Sequence, residues 1–112
     1  MINENKDLSK YLPLTESTFY ILAALDGPLH GYAIMQKVEI MSQGTMKLGA
    51  GTLYGAFSTL EQEKIINMVG EESRRKIYEL TEKGRNLFQM QVERLKIMLE
   101  NGEKALQQMN GN

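Results

Sequence analysis

The chain has 112 residues, 42% hydrophobic and 24% charged, which is the composition of one ordinary globular domain. It contains no cysteine, which excludes disulfides and thiolate metal sites, and no apolar stretch approaches the roughly 20 residues that cross a bilayer. A formal charge of −1 gives no global attraction to a polyanion, so any nucleic-acid affinity must be local.

Residues 1–10 are polar and lack the apolar core of an export signal, so the expectation is a cytoplasmic protein with no membrane segment. Pro13 and Thr15 open a first helix with Thr15 as its N-cap, and Phe19, Ile21, Leu22 and Leu25 supply its apolar positions. Asp26-Gly27-Pro28 ends it with turn chemistry. A second helix is expected from Gly31 to about Met41, with Ile34, Met35, Val38 and Met41 at helical spacing, and Ser42-Gln43-Gly44 reads as the break after it.

The third helix begins after Leu48. Leu53, Phe57 and Leu60 recur on one side with Ala56, which turns Thr52, Tyr54, Gly55, Ser58 and Thr59 outward. A merely solvated face normally fills with Glu and Lys. Small side chains instead let a partner approach the helix backbone, and hydroxyls can bond phosphates and base edges. Residues 65–69 and 76–80 read as two strands joined by the polar turn Gly70-Glu71-Glu72-Ser73. The only dense basic cluster, Arg74, Arg75 and Lys76, adjoins that turn, beside Glu71 and Glu72. Lys37, Lys47 and Lys64 are scattered nearby in sequence.

Thr81 should cap a last helix from Glu82 to about Met109, roughly 42 Å long and too long to pack wholly on so small a domain. Phe88, Val92, Leu95, Leu99, Gly102, Leu106 and Met109 follow steps of four and three, the period of helices packed side by side. A second copy of the chain is the simplest partner for this seam. Leu87, Met90, Ile97 and Met98 widen the stripe, and a small hydrophobic effector could settle among Leu95, Met98 and Leu99. The architecture expected is mainly α with a small β-hairpin. Residues 1–80 form a winged helix-turn-helix and 81–112 a dimerisation helix.

Three segments then fall into register. His30-Gly31-Tyr32, Gly51-Thr52-Leu53-Tyr54-Gly55-Ala56, and the run from Arg74 through Thr81 to Gly84 together resemble the PadR family of transcriptional regulators, in its smaller subfamily with a single C-terminal helix. The resemblance implies a dimeric winged-helix repressor, held together by its last helix, that binds inverted-repeat double-stranded DNA and is relieved by a small molecule. It also implies that Thr52 and Tyr54 lie where the recognition helix meets DNA and that Arg74, Arg75 and Lys76 lie on the wing. Lys47, Gly55 and Ser58 complete the DNA-binding set read from the residues. Two departures stand out: Gly49-Ala50 replaces a common Ser-Pro at the helix start, and no tryptophan on the last helix is available to stack on flat aromatic ligands.

Catalysis and metal binding find no support. The lone His30 precedes a glycine at a helix start, where a capping role is usual, and no carboxylate pair sits in an apolar setting. Gly49-Ala50-Gly51 lacks the strand and glycine spacing of a phosphate loop. The eight methionines suit adaptable core filling better than a cofactor site, and no cofactor is expected. The competing function is a winged-helix protein–protein adaptor without useful DNA affinity, which the near-neutral charge favours.

Overall fold

A computed structural model describes residues 8–111, so residues 1–7 of the polar start and Asn112 lie outside the described residues. A short 3-10 turn, Ser9–Tyr11, precedes helix α1 at Glu16–Ala24. Strand β1, Leu29–His30, leads straight into α2 at Gly31–Met41, and α3 spans Ala50–Gln62. Strands β2, Ile66–Glu72, and β3, Arg75–Leu80, form the hairpin, and α4 runs from Glu82 to Met109. The sheet is antiparallel in the order β1-β3-β2.

Helices α1, α2 and α4 start where a side-chain cap dictates. The Thr15 and Thr81 hydroxyls accept from Thr18 N and Gly84 N, and His30 Nδ1 accepts from Ala33 N at 3.2 Å. The stops of α2 and α3 are also built from backbone. After α3, Lys64 N bonds Glu61 O and Ile65 N bonds Leu60 O, with Lys64 left-handed at φ 61°. This is a Schellman ending, and buried Leu60 and Ile65 supply its hydrophobic contact. Gln43, at φ 54°, ends α2 in the same way.

The core gathers Ile21, Leu22, Ile34, Val38, Leu53, Phe57, Ile66 and Leu87, all at most 1% exposed. Leu87 and Gly84 bring the first turns of α4 into this body, and buried Gln91 accepts a hydrogen bond from Leu14 N at 2.8 Å, fixing the entry to α1. From Glu93 onward every described residue of α4 is exposed. About 25 Å of helix therefore projects from the domain. Met41, placed by its spacing on the inner face of α2, is 40% exposed because the helix ends there beyond the core.

The hairpin differs from the sequence expectation. Residues 70–72 belong to β2, and the turn is Ser73-Arg74, with both residues at positive φ (50° and 67°). Gly70 instead follows an irregularity in the β2–β3 register between Met68 and Gly70. The polar run mimics a loop in sequence, yet on a projecting hairpin both faces meet water and polar strand residues cost little.

Two glycine-level constraints yield stability predictions. A Cβ on Gly84 would collide with the Ile65 carbonyl oxygen, a backbone atom that cannot swing away. Gly84→Ala should therefore cost roughly 3 kcal/mol in urea denaturation. Lys64→Gly should do the reverse and stabilise by about 0.5–1 kcal/mol, since glycine adopts the left-handed position without strain.

Candidate nucleic-acid interface

The exposed face of α3 contains the residues that periodicity assigned to it. Thr52, Tyr54, Gly55, Ser58 and Thr59 are exposed, while Leu53, Phe57 and Leu60 are buried. Gly49 caps α3 with no side-chain hydrogen bond, and Gly49, Ala50, Gly51 and Thr52 are all exposed, so the first turn of the helix is bare. Lys47 is exposed in the segment leading into this turn.

Tyr54 has a more constrained place than an outward-facing residue needs. Its ring meets Phe57 edge-on at 5.8 Å, and a Cβ built on Gly31 would lie 2.6 Å from its hydroxyl oxygen. Any residue larger than glycine at position 31 would push Tyr54 out of this seat. The ring remains 50% exposed, at the rim of a cleft of about 360 Å³. The cleft lies between the start of α2, α3 and the hairpin, and Arg74, Arg75, Lys76, Tyr32 and Tyr78 also line it.

Thus Tyr54 and the three basic wing residues converge on one cleft, while Thr52, Gly55, Ser58 and Lys47 do not line it. His30, Tyr32 and Tyr78 also line it, although the sequence marks them only as motif or capping residues and gives none of them a binding role. The β1–β3 pairing, with His30 opposite Ile77 and Leu29 opposite Tyr78, is what draws the start of α2 to the wing. Its charge is predominantly positive. Burial pushes the Tyr78 phenol above its ordinary pKa, with Glu61 and Tyr54 acting in the same direction, so it adds no negative charge to the cleft near neutrality.

The wider surface is electrostatically balanced. Glu71 lies opposite Lys76 and Glu72 opposite Arg75 across the hairpin. Lys37 pairs with Asp26 at 2.6 Å, and its hydrogen bond and charge hold the Asp26 carboxyl below the usual value.

The residues read as a dimer seam occupy two environments. Phe88 is half-buried and stacks on Phe19 of its own chain at 5.1 Å, and Val92 is also half-buried. Leu95, Leu99 and Leu106 are 37%, 65% and 57% exposed. Leu95, Met98 and Leu99, the suggested effector contacts, lie with Leu106 along one open apolar groove on the projecting part of α4. Among the described residues, no helix is long and apolar enough to cross a membrane, and no group of three or more His, Cys, Asp or Glu could hold a metal ion.

Comparison with known proteins places this geometry. Residues 21–90 match the transcriptional regulator PadR-like family. An uncharacterized 37.1 kDa protein in transposon TN4556 of Streptomyces fradiae is 38% identical over 78 residues, 69% of this chain, and the match spans only 22% of that relative's length. A transcriptional regulator from Clostridium thermocellum superposes with a TM-score of 0.64 at 25% identity, covering 88% of this chain and 96% of its own. A PadR family transcription regulator of Clostridium difficile gives a TM-score of 0.67 at 20% identity, covering 79% and 95%. F93 of STIV, a winged-helix DNA-binding protein, gives 0.62 at 24%, covering 71% and 87%. The last two establish a shared winged-helix fold.

The wing turn can be tested without any ligand. Two-residue hairpin turns with both residues at positive φ favour Asn-Gly, whereas this chain has Ser73-Arg74. Replacing them, Ser73→Asn with Arg74→Gly, should raise folding stability by on the order of 1 kcal/mol, read as a higher urea midpoint at unchanged m-value.

Proposed function

The chain belongs to the PadR-like family of transcriptional regulators, and on that premise we propose that it acts in the cytoplasm as a homodimeric repressor of inverted-repeat double-stranded DNA. Helix α3 enters the major groove, with Thr52, Tyr54, Gly55 and Ser58 toward the base edges. Arg74, Arg75 and Lys76 hold the adjacent backbone from the wing, and Lys47 meets phosphate near the bare start of α3. The observation that carries this reading is the convergence of Tyr54 and the three wing cations on one cleft, beside a recognition face that is small and uncharged.

The exposed apolar stripe of α4 supports the dimeric part of this reading. Ile97, Met98, Leu99, Leu106 and Met109 are each more than half exposed on a helix that projects from its own body. A second copy would cover this apolar stripe, with Leu95, Leu99 and Leu106 in the seam and Phe88 and Val92 at its base. A small hydrophobic effector seated among Leu95, Met98 and Leu99 would release DNA by favouring a different separation of the two recognition helices. Operator DNA must then weaken effector binding by the same factor.

Fluorescence anisotropy against the DNA upstream of the protein's own coding sequence, with a random duplex as control, tests the central claim. Specific binding is expected. Binding to neither duplex would favour the adaptor reading, which the formal charge of −1 keeps in play. In the same assay the Ser73→Asn/Arg74→Gly variant should bind both duplexes more weakly, with the salt slope reduced by about one unit. Because that variant is expected to fold more stably, its urea midpoint separates a loss of affinity from unfolding. Thr52→Val or Ser58→Val should mainly lower discrimination between the two duplexes. Leu99→Glu would bury an unpaired charge at the seam, at a cost of several kcal/mol. Light scattering should then report a monomer at micromolar concentration, where the parent protein is a dimer.

A further inference from the structure

Tyr32 occupies the second position of α2, directly after the capped pair His30 and Gly31. Its ring is 52% exposed and so contributes little to the core. What it touches is the wing: the guanidinium carbon of Arg75 lies 5.6 Å from the ring centroid, inside the range of a cation–π contact. Both residues line the cleft together with Tyr54 and Lys76. Nothing in the packing of the domain needs this contact, since the β1–β3 ladder already joins α2 to the wing.

A cation–π contact at this distance holds the guanidinium near the ring and leaves its N–H donors able to fork onto the oxygens of a phosphate. An arginine on a solvated wing otherwise samples many rotamers, and ordering it on binding weakens the contact it makes. We infer that Tyr32 is a positioning residue for nucleic-acid binding: its ring holds the Arg75 guanidinium at the cleft mouth, ready to grip one backbone phosphate between the wing and the start of α2. This inference rests on the DNA-binding reading above and adds a residue to it. The tyrosine hydroxyl plays no part, so phenylalanine should serve equally well. The gain is preorganisation, so it acts on all DNA rather than on one sequence.

The test is a double-mutant cycle in the anisotropy assay, using a random duplex and a salt series. Tyr32→Ala should weaken binding about two- to fivefold, the effect of one cation–π contact at an exposed site. Tyr32→Phe should bind like the parent. Arg75→Ala should weaken binding further and lower the salt slope by about one unit, and adding Tyr32→Ala to it should change nothing more. NMR reads the cation–π contact independently of DNA: the Arg75 side-chain protons should carry a ring-current shift in the parent and in Tyr32→Phe that Tyr32→Ala abolishes. Additive losses in the double variant, or a Tyr32→Phe as weak as Tyr32→Ala, would overturn the positioning role while leaving the DNA-binding reading intact. A parent protein that binds no duplex overturns both.

Discussion

The structure turns on one contact, the first turn of α4 pressed against the backbone that ends α3. Gly84 sits so close to the Ile65 carbonyl that no side chain fits between them. The same oxygen accepts from Thr81 N, and the Thr81 hydroxyl donates to Lys64 O at 2.7 Å while accepting from Gly84 N. Lys83 adds a third tie, donating to the carbonyl of Glu63 and to the hydroxyl of Tyr11, which itself donates to the Glu63 carboxylate. The Schellman ending of α3 and the N-cap of α4 thus form one hydrogen-bonded joint. The long helix is mounted by hydrogen bonds on the foot of α3 rather than on a flexible connector, so a tilt of one should carry the other with it.

Much of this fold was legible in the sequence, because α3 and α4 state their periods plainly and Thr15 and Thr81 state their caps. What escaped was whatever depends on pairing across the chain. A two-residue strand has no periodicity to read, so β1 was invisible, and with it the approach of Tyr32 to Arg75. Gly70-Glu71-Glu72-Ser73 reads as a turn because its residues are turn formers, yet the chain reverses at Ser73-Arg74 and leaves Gly70 beside a register irregularity. The 3.5-residue stripe of α4 reads as one continuous seam for a second copy, and the structure divides it. Phe88 packs on Phe19 of the same chain, and only beyond Val92 does the stripe lie open. Gln91 carries a polar label at a buried position, and only its bond to Leu14 N explains why it is there.

The charge distribution explains how a chain of net charge −1 can suit a polyanion. Lys37 is occupied by Asp26 and Lys83 by Tyr11 and Glu63 O, while Glu71 and Glu72 face the wing cations across the hairpin. Little long-range field is left to steer association. On the proposed reading Arg74, Arg75 and Lys76 act at contact distance, where a fixed geometry matters more than total charge. A cleft walled by Tyr32, Tyr54 and Tyr78 fits that requirement, since aromatic walls orient cations and carry no charge of their own.

The same economy of charge bears on how the projecting helix could govern the DNA-facing side. With weak steering, operator affinity on the proposed reading depends on both halves of a two-fold dimer meeting their half-sites together, about 34 Å or a multiple apart. The joint at Gly84 gives each domain little freedom of its own, so in the proposed dimer the spacing would be decided where the α4 stripes cross. That crossing is underdetermined by the sequence. Gly102 interrupts the stripe where a Cβ would meet nothing among the described residues, and Met98 and Met109 are flexible side chains that fit more than one packing. A rigid mount joined to an adaptable seam lets a small change at the seam appear as a change in spacing at the far end. Were the joint soft and the seam stiff, the same ligand at the same groove would be absorbed locally and the recognition helices would not move.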